Sequence, residues 1–389
     1  MYLFVFGTHP LLSQTELTYR LSTLGLKTNI ILHQDIGILD APLPLSPKQL
    51  ISYLGGTIKI GEVIGTANDQ SVTAQNDNIL NLLQSSLPKT GGKINFGFSL
   101  HNISNPKPWH SLALTFKKKL KEQGIHSRAV TSRESTLSSV IVTKEKMLDH
   151  GADFIVLKQN NEFVIAKTVA VQDYRAYSQR DYDRPDKDLA SGMLPPKIAK
   201  ILINIAGLKS GTVYDPFCGS GTILQEALLL GYDAIGSDIS NKAIAETKNN
   251  INWLEGKEDI KNKHIVFQSP IQEAFQKLKQ LSLSPDAIVT EPYLGPALGK
   301  NAAMKNIYQA RKELEFLYQD FLSTACVILK KHSRLVFISP VWFIKEEETP
   351  FPVETIINNK LWKRLDNNKL LYHRPSQRVG RRIIALEKI

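Results

Sequence analysis

The sequence predicts an α/β fold, a doubly wound sheet that binds its ligands at the carboxyl ends of its strands. An apolar strand, a glycine turn, a helix and a second strand follow one another in Thr212–Ile239. Strand-like and helix-like segments then alternate, and the last two strands are predicted to be antiparallel. Polar residues directly follow three strands, at Asp215, Asp238 and Thr290–Tyr293. Because ligands bind at the carboxyl ends of such strands, we expect these residues to lie together.

The glycine turn is the most informative stretch of the chain. Gly219 and Gly221 let the backbone come close to a ligand. Asp238 lies 23 residues after Asp215, a spacing at which an acidic residue accepts hydrogen bonds from both hydroxyls of a ribose. The predicted cofactor contacts are Asp215, Pro216, Phe217, Cys218, Gly219, Ser220, Gly221, Thr222, Asp238 and Ile239.

Three classes of nucleotide cofactor compete for this turn. Leu224 stands where the dinucleotide fingerprint has its third glycine, which weighs against a nicotinamide cofactor. The P-loop pattern is absent, and its nearest imitation, from Gly295 to Lys300, is one residue short. What remains is a cofactor with an adenosine, no phosphates and a charged amino-acid end. S-adenosylmethionine fits this description, with Asp215 facing its ammonium group and Asp238 its ribose.

Composition bounds the class of protein and of partner. The chain has 389 residues, room for two or three domains, and its net charge of +11 favours a polyanionic partner such as nucleic acid over a merely Lys-rich surface. Basic residues cluster along the chain, and the predicted RNA contacts are Lys117, Lys118, Arg133, Arg175, Arg180, Arg374 and Arg378. The two cysteines form no metal-ligand spacing, and no stretch of 18 apolar residues occurs. We therefore expect a cytoplasmic protein that binds neither a metal nor a membrane.

The N-terminal half reads as two small α/β units. A strand at Leu3–Phe6 and a helix at Gln14–Leu24 open the first, and the polar segment Gly65–Asn78 is predicted as the boundary between them. In the second unit, Leu137–Val142 is predicted as a strand and Lys144–His150 as a helix. No nucleophile, metal cluster or carboxylate pair stands out in this second unit.

The stretch Tyr174–Pro185 interleaves three tyrosines with three arginines. Arginines neutralise phosphates and tyrosines stack on unpaired bases, which is typical of a path for RNA. A structured linker held by Arg–Asp pairs is an equal alternative. A helix at Lys197–Ala206, stopped by Gly207, follows and opens the domain that contains the glycine turn.

The segment after the fourth predicted strand of this domain, Thr290-Glu291-Pro292-Tyr293, carries the candidate chemistry. An exocyclic amine on a base is a poor nucleophile because its lone pair is delocalised into the ring. Acceptors that hold its two hydrogens let the nitrogen become pyramidal and attack a methyl group. Glu291 or Thr290 would be such an acceptor beside a carbonyl held by Pro292, and Tyr293 would stack on an extruded base.

DPFCGSGT, the preceding stretch RDYDRPDKDLASGMLPPKIAKILINIAG and the two N-terminal units together resemble the THUMP-containing tRNA guanine-N2 methyltransferases. The resemblance is strong over Tyr174–Asp238. It implies a ferredoxin-like unit over 1–65, a THUMP RNA-binding domain over 66–172, a linker over 173–190 and a Rossmann-like class I methyltransferase domain over 191–389. That domain would have a seven-stranded, mostly parallel sheet and use S-adenosylmethionine, and the partner would be tRNA. The need for a small activating subunit stays open.

The chain departs from this family in its tetrapeptide. The family usually has Asp-Pro-Pro-Tyr, so either Thr290 or Glu291 takes the acidic position. We favour the Glu291 carboxylate, because it accepts from both the N1–H and the 2-amino group of guanine. The resemblance implies methylation of guanine-10 of tRNA at N2. Rival hypotheses are an amino-methyltransferase acting on rRNA guanine or on adenine or cytosine of DNA, and a protein that binds tRNA and cofactor without catalysis.

Overall fold

A computed structural model describes residues 1–89, 92–187, 193–296, 304–344, 347–366 and 370–389. The chain forms two compact units, one of Met1–Gln14 with Lys27–Arg175 and one of Thr15–Leu26 with Ala176–Ile389. Each unit has an α/β fold with a mixed sheet. Within these described ranges, no helix is both long enough and apolar enough to cross a membrane.

Among its described residues, the first unit has eight strands. They are β1 (Tyr2–Phe6), β2 (Ile31–His33), β3 (Ile36–Leu39), β4 (Thr57–Asn68), β5 (Ile94–His101), β6 (Ser127–Ala129), β7 (Gly151–Gln159) and β8 (Glu162–Val171). In chain order, the helices described as far as residue 178 are α1 (Pro10–Thr23), α2 (Pro47–Ser52), α3 (Asp69–Thr73), α4 (Asp77–Ser85), α5 (Lys107–Glu122), α6 (Ser139–Lys144) and α7 (Tyr174–Ser178). The strand order is β2-β3-β1-β4-β8-β7-β5-β6.

The long strand β4 changes the predicted division of the N-terminal half. Its first residues pair with β1, and Lys59–Asn68 pairs with β8, so a single sheet runs through both predicted units. The predicted boundary at residue 65 lies inside this strand. The segment Gly65–Asn78 is the end of β4, then α3 and the first turn of α4. Its polar composition reflects a solvent-facing strand end and helix caps rather than a linker.

The predicted strand Leu137–Val142 and helix Lys144–His150 are wrong. The structure instead has the helix α6, whose N-cap Ser138 accepts a hydrogen bond from the Ile141 N–H. Such a cap satisfies a backbone donor that otherwise has no partner in the first turn of a helix. The capping contact therefore outweighs the β-propensity of the branched residues that follow.

In the part of the second unit that the structure describes, there are nine strands. They are β9 (Thr212–Asp215), β10 (Asp233–Asp238), β11 (His264–Gln268), β12 (Ala287–Thr290), β13 (Arg334–Ile344), β14 (Glu347–Pro350), β15 (Trp362–Arg364), β16 (Leu371–Tyr372) and β17 (Val379–Lys388). The α-helices are α8 (Pro196–Ala206), α9 (Thr222–Leu229), α10 (Asn241–Glu255), α11 (Ala274–Gln280) and α12 (Met304–Ile328). Single-turn segments occur at Gln179–Asp183, Ile271–Glu273 and Val353–Thr355.

The sheet of this unit is mixed, and the predicted seven-stranded, mostly parallel sheet needs correction. The main path runs β11-β10-β9-β12-β13-β17-β15, with β14 added to β13 and β16 added to β17. Neighbours from β11 to β13 are parallel, and the pairs made by β14, β15, β16 and β17 are antiparallel. The additional pairs arise because β13 and β17 are long enough for short strands to fold back onto them.

The strand order places a crevice beside β9. From β9 the chain proceeds outward through β10 and β11, and then returns to add β12 and β13 on the other side. Ligands of open α/β sheets bind at such a point of reversal, outside the carboxyl ends of the strands. The residues that end β9, β10 and β12 therefore surround the expected ligand site.

Candidate active site

Hydrogen bonds join the three predicted strand ends. The Thr290 hydroxyl at the end of β12 donates to Asp215 Oδ1 at the end of β9, with an O–O distance of 2.6 Å. The Gly219 N–H donates to Asp238 Oδ2 at the end of β10, with an N–O distance of 3.0 Å. The sequence-based prediction that these residues lie together at one edge of the sheet agrees with this geometry.

The two glycines of the turn have different surroundings. Gly219 and Gly221 both have left-handed backbones, with φ of 51° and 84°. A Cβ atom at Gly219 would meet nothing within 4 Å, whereas one at Gly221 would lie 2.9 Å from Thr247 Cγ2 on α10. Gly219 therefore borders open space that a ligand can occupy, and Gly221 allows the turn to pack against α10.

We expect Gly219→Ala and Gly221→Ala to separate binding from stability. Gly219→Ala places a methyl group in the open space, so cofactor affinity should fall at least tenfold while the free energy of unfolding falls by about 1 kcal/mol. Gly221→Ala adds overpacking against Thr247 and should cost about 2–4 kcal/mol. Urea unfolding and calorimetric titration of the cofactor measure the two effects. Equal losses of stability in both variants would contradict this assignment.

Leu224 fills the place of the missing third glycine. A Cβ atom at Gly236 on β10 would lie 2.5 Å from Leu224 Cδ1. The close approach of helix α9 to the sheet is therefore made by a leucine on the helix against a glycine on the strand. This packing explains how the turn departs from the dinucleotide fingerprint and still holds α9 on the sheet.

Asp215 is a buried carboxyl group among other acids. Its side chain is 2% exposed, and burial raises its pKa to about 7. Hydrogen bonds from Thr290 and the Phe217 N–H oppose this rise, while the nearby charges of Asp238 and Glu291 add to it. A buried acid in such surroundings favours a cationic ligand, because a positive charge stabilises the ionised carboxylate. The site therefore fits the ammonium group of an amino-acid moiety.

Asp238 is oriented by two backbone N–H groups. Gly219 donates to its Oδ2 and Ser240 to its Oδ1, at 3.0 and 2.9 Å. Each carboxylate oxygen has two lone pairs, so each can still accept a hydroxyl. The adjacent Ile239 is 69% exposed and offers an apolar surface next to this carboxylate. This arrangement fits a ribose with its attached base.

The tetrapeptide distinguishes the two candidate acceptors. The Thr290 side chain is fully buried and its hydroxyl donates to Asp215. Glu291 is 16% exposed, and its Oε1 accepts from Arg381 Nε on β17 at 2.7 Å. Tyr293 is 54% exposed. The geometry therefore favours Glu291 as the acceptor of a substrate amine and leaves the Tyr293 ring accessible for stacking.

Sequence reasoning missed the contact made by Arg381. Arg381 stands in the same C-terminal segment as Arg374 and Arg378, which are predicted to contact RNA, but its side chain is 5% exposed and pairs with Glu291. Arg382 is also mostly buried and pairs with Glu354. The one signal in the sequence is the position of both arginines directly before the apolar run of a terminal strand, where burial requires an acidic partner.

Arg180 does not fit the predicted role of an RNA contact. Its Nε donates to the buried Glu226 at 2.5 Å, and its guanidinium lies 4.6 Å from the centre of the Tyr177 ring. Lys200 also pairs with Glu226. The other predicted contacts remain accessible: Lys117, Lys118, Arg133, Arg175 and Arg374 are exposed, and Arg378 is half-buried.

We expect Arg180→Met to destabilise the protein by about 3 kcal/mol, because it leaves the Glu226 carboxylate buried with one cation fewer. Arg175→Met is the matched control, since this exposed arginine lies in the same segment, and its effect should stay within about 0.5 kcal/mol. Urea unfolding compares the two. A stable Arg180→Met variant with weakened RNA binding would restore the original interpretation.

The stretch Tyr174–Pro185 and the residues after it support the glycine turn. Arg184, which is 2% exposed, donates to the Thr222 hydroxyl at 2.6 Å, where α9 begins. Asn250 on α10 donates to the carbonyl oxygens of Ser220 and Asp186 at 2.9 and 3.0 Å. These contacts pack the buried part of the stretch within the second unit, and none of them is the Arg–Asp pair of the linker hypothesis. Asn250 was not predicted, because an asparagine within a helix gives no local sign of such a contact.

Comparison with known proteins supports a methyltransferase. Residues 184–341 match a family model described as an RMKL-like methyltransferase domain, and residues 94–249 match a model described as a DNA methylase. A tRNA (guanine(10)-N2)-dimethyltransferase of Methanothermobacter thermautotrophicus is 30% identical over 183 residues, which cover 46% of this chain and 48% of the relative. A probable tRNA (guanine(10)-N2)-dimethyltransferase of Methanothermococcus thermolithotrophicus is 31% identical over 147 residues, which cover 37% of this chain and 79% of the relative.

A solved structure shares the fold along the chain. TrmN from Thermus thermophilus superposes with a TM-score of 0.53 at 16% identity, covering 100% of this chain and 99% of that one. At this identity the similarity concerns the fold alone. The chain spans about half the length of the first two curated relatives that it matches.

Proposed function

Because this chain belongs to a family of tRNA methyltransferases, we propose that it transfers a methyl group from S-adenosylmethionine to N2 of a guanine in tRNA, at position 10. The names of the relatives support both the base and the position, and they favour the addition of two methyl groups to one amine.

One observation carries the proposal: three acidic residues lie at the carboxyl ends of three adjacent strands of one sheet. Asp215 and Asp238 lie on either side of the glycine turn, and Glu291 follows the neighbouring strand β12. We assign Asp215 to the ammonium group of the cofactor and Asp238 to its ribose. Glu291 is assigned to the amine of the base and Tyr293 to its aromatic face.

The cofactor supplies an electrophilic methyl group when it is bound. The side chains of this protein position the base and supply the negative charge that faces it. The Glu291 carboxylate would accept hydrogen bonds from N1–H and from one hydrogen of the 2-amino group of guanine, and the backbone carbonyl held by Pro292 would accept the other. With both hydrogens held, the nitrogen becomes pyramidal and its lone pair is exposed. Tyr293 holds the base by stacking. Adenine presents an acceptor at N1 and would be rejected by the same carboxylate.

The first unit is proposed to bind the tRNA. Its exposed Lys117, Lys118, Arg133 and Arg175 would contact phosphates, as would Arg374 in the second unit. We assign the ferredoxin-like and THUMP folds to the two parts of this unit on the resemblance alone, and we expect the protein to act in the cytoplasm.

Methylation of an amino group in DNA is the second candidate. The match of residues 94–249 to a DNA methylase model favours it. That match ends before Glu291 and Tyr293, so it does not include the residues assigned to the base.

The decisive experiment incubates the purified protein with labelled S-adenosylmethionine and, separately, unmodified tRNA transcripts, rRNA fragments and duplex DNA. Nucleoside mass analysis then identifies the product. Labelled N2-methylguanosine or N2,N2-dimethylguanosine in tRNA would support the proposal. Labelled N6-methyl-2′-deoxyadenosine or N4-methyl-2′-deoxycytidine in DNA alone would overturn it in favour of the second candidate. Absence of label in all three, with cofactor bound, would indicate a binding protein.

A further inference from the structure

Strand β17 brings a buried arginine to the tetrapeptide. Arg381 lies opposite Pro340 in the antiparallel pair β13–β17, and its side chain is 5% exposed. Its Nε donates to Glu291 Oε1 at 2.7 Å. A buried ion pair adds little net stability, because desolvation of both charges offsets their attraction. Its location beside the proposed base site therefore points to a use other than folding.

Glu291 lies in surroundings that favour its neutral form. Burial raises the pKa of its carboxyl group, and the Arg381 guanidinium opposes that rise. The Glu291 charge in turn raises the pKa of two groups on neighbouring elements, Asp215 at the end of β9 and Tyr318 on α12. Arg381 is thus the cation that opposes the effect of burial on the Glu291 carboxyl.

We propose that Arg381 is a positioning residue of the base site. It holds Glu291 as an oriented carboxylate, so that Glu291 accepts hydrogen bonds from both N1–H and the 2-amino group of guanine. This inference rests on the proposed function. A protonated Glu291 would present one donor and one acceptor, the pattern that matches N1 and the 6-amino group of adenine instead. Arg381 would therefore set both the pH range of methyl transfer and the preference for guanine.

The test compares Arg381→Met, which removes the charge at similar length, with Arg381→Lys, which keeps it. The readout is the pH dependence of single-turnover methyl transfer to tRNA at saturating cofactor. In Arg381→Met, we expect the acid limb of the pH–rate profile to move to higher pH by about 1–3 pH units. In Arg381→Lys, we expect this limb to lie at the same pH as in the wild type. Arg382→Met is the matched control on the same strand, since Arg382 pairs with Glu354. A uniform loss of rate at every pH, without movement of the limb, would mean a purely structural role and overturn the inference.

Two further measurements keep the test decisive. In a Glu291→Gln background, Arg381→Met should cause no further loss of rate, because its effect passes through Glu291; an additional loss would contradict this. This double variant also removes the unpaired charge that threatens folding.

Carbon-13 NMR titration of the Glu291 carboxyl, assigned by the disappearance of its signal in Glu291→Gln, does not require an active enzyme. We expect a higher pKa in Arg381→Met, and an unchanged pKa would overturn the inference even in an active enzyme. Absence of methyl transfer by the wild type would instead overturn the proposed function.

Discussion

Asp215→Asn is expected to raise the free energy of unfolding at pH 8 by about 4 kcal/mol while weakening cofactor binding. Burial raises the pKa of Asp215 from 3.8 to about 7, so the folded protein holds this proton more tightly than the unfolded chain does. The free energy of unfolding therefore falls as pH rises from about 4 to about 7, by about 1.4 kcal/mol per pH unit. Asparagine carries no charge and removes this cost. Its Oδ1 still accepts from Thr290 and Phe217.

Urea unfolding at pH 8 and pH 4 measures the effect, which should be large at pH 8 and nearly absent at pH 4. Asp286→Asn is the matched control: Asp286 accepts from the Thr212 N–H at the opposite end of the same strand, 2.9 Å away. No gain of stability is expected there. A destabilised Asp215→Asn variant at pH 8 would show that the carboxylate is stabilised in the folded protein.

Cofactor binding should respond in the opposite direction. A ligand ammonium favours the ionised carboxylate, so the affinity of the wild type should increase as pH rises through about 7, by up to tenfold per unit below that value. In Asp215→Asn the affinity should be low and this pH dependence absent. Calorimetric titration between pH 5.5 and 8.5 tests both expectations. If Asp215→Asn is more stable than the wild type and binds the cofactor less tightly, Asp215 serves binding at a cost in stability.

Local chemistry explains which parts of the site could be predicted. The fourth predicted strand of the domain ends at Thr290 in the structure, and α9 follows the glycine turn as predicted. Gly207 ends α8 in a left-handed conformation with φ of 66°. In each case the signal lies within a few residues of the feature, as a glycine that needs positive φ or an apolar run that ends in a polar residue.

The errors concern contacts between distant segments. Arg180 and Arg381 look like the exposed arginines beside them, and only the fold reveals that they face Glu226 and Glu291, 46 and 90 residues away. Similarly, the polar end of β4 resembles a linker in sequence, although β8 pairs with it. Composition reports the average exposure of a residue type, whereas burial at one position depends on packing partners.

Glu291→Gln should lower the single-turnover rate of methyl transfer by about 10²–10³-fold, with cofactor affinity changed less than about twofold. Glutamine keeps the length of the side chain but replaces one acceptor oxygen with an NH2 donor, which would face N1–H or the 2-amino group of guanine. Asp215 and Asp238 still hold the cofactor. Rapid-quench kinetics with tRNA transcripts and calorimetric titration of the cofactor measure the two quantities.

Glu354→Gln is the matched control for this variant. Glu354 also pairs with arginines, with Oε1 3.0 Å from Arg364 Nη1, but it lies outside the three strand ends, so its rate should be unchanged. Glu291→Gln leaves Arg381 without its carboxylate and should also lower stability, so rates are compared per folded molecule. A Glu291→Gln rate equal to that of the wild type would remove this carboxylate from catalysis.

Thr290→Val decides between the two candidates for the acidic position of the tetrapeptide. If Thr290 held the amine, its loss would slow methyl transfer and leave cofactor affinity intact. In this structure its hydroxyl donates to Asp215 Oδ1, and that bond lowers the pKa of Asp215. We therefore expect Thr290→Val to weaken cofactor binding near pH 7, with a near-normal rate once the cofactor is saturating. Opposite patterns in Thr290→Val and Glu291→Gln would place the base acceptor at Glu291 and the support of Asp215 at Thr290.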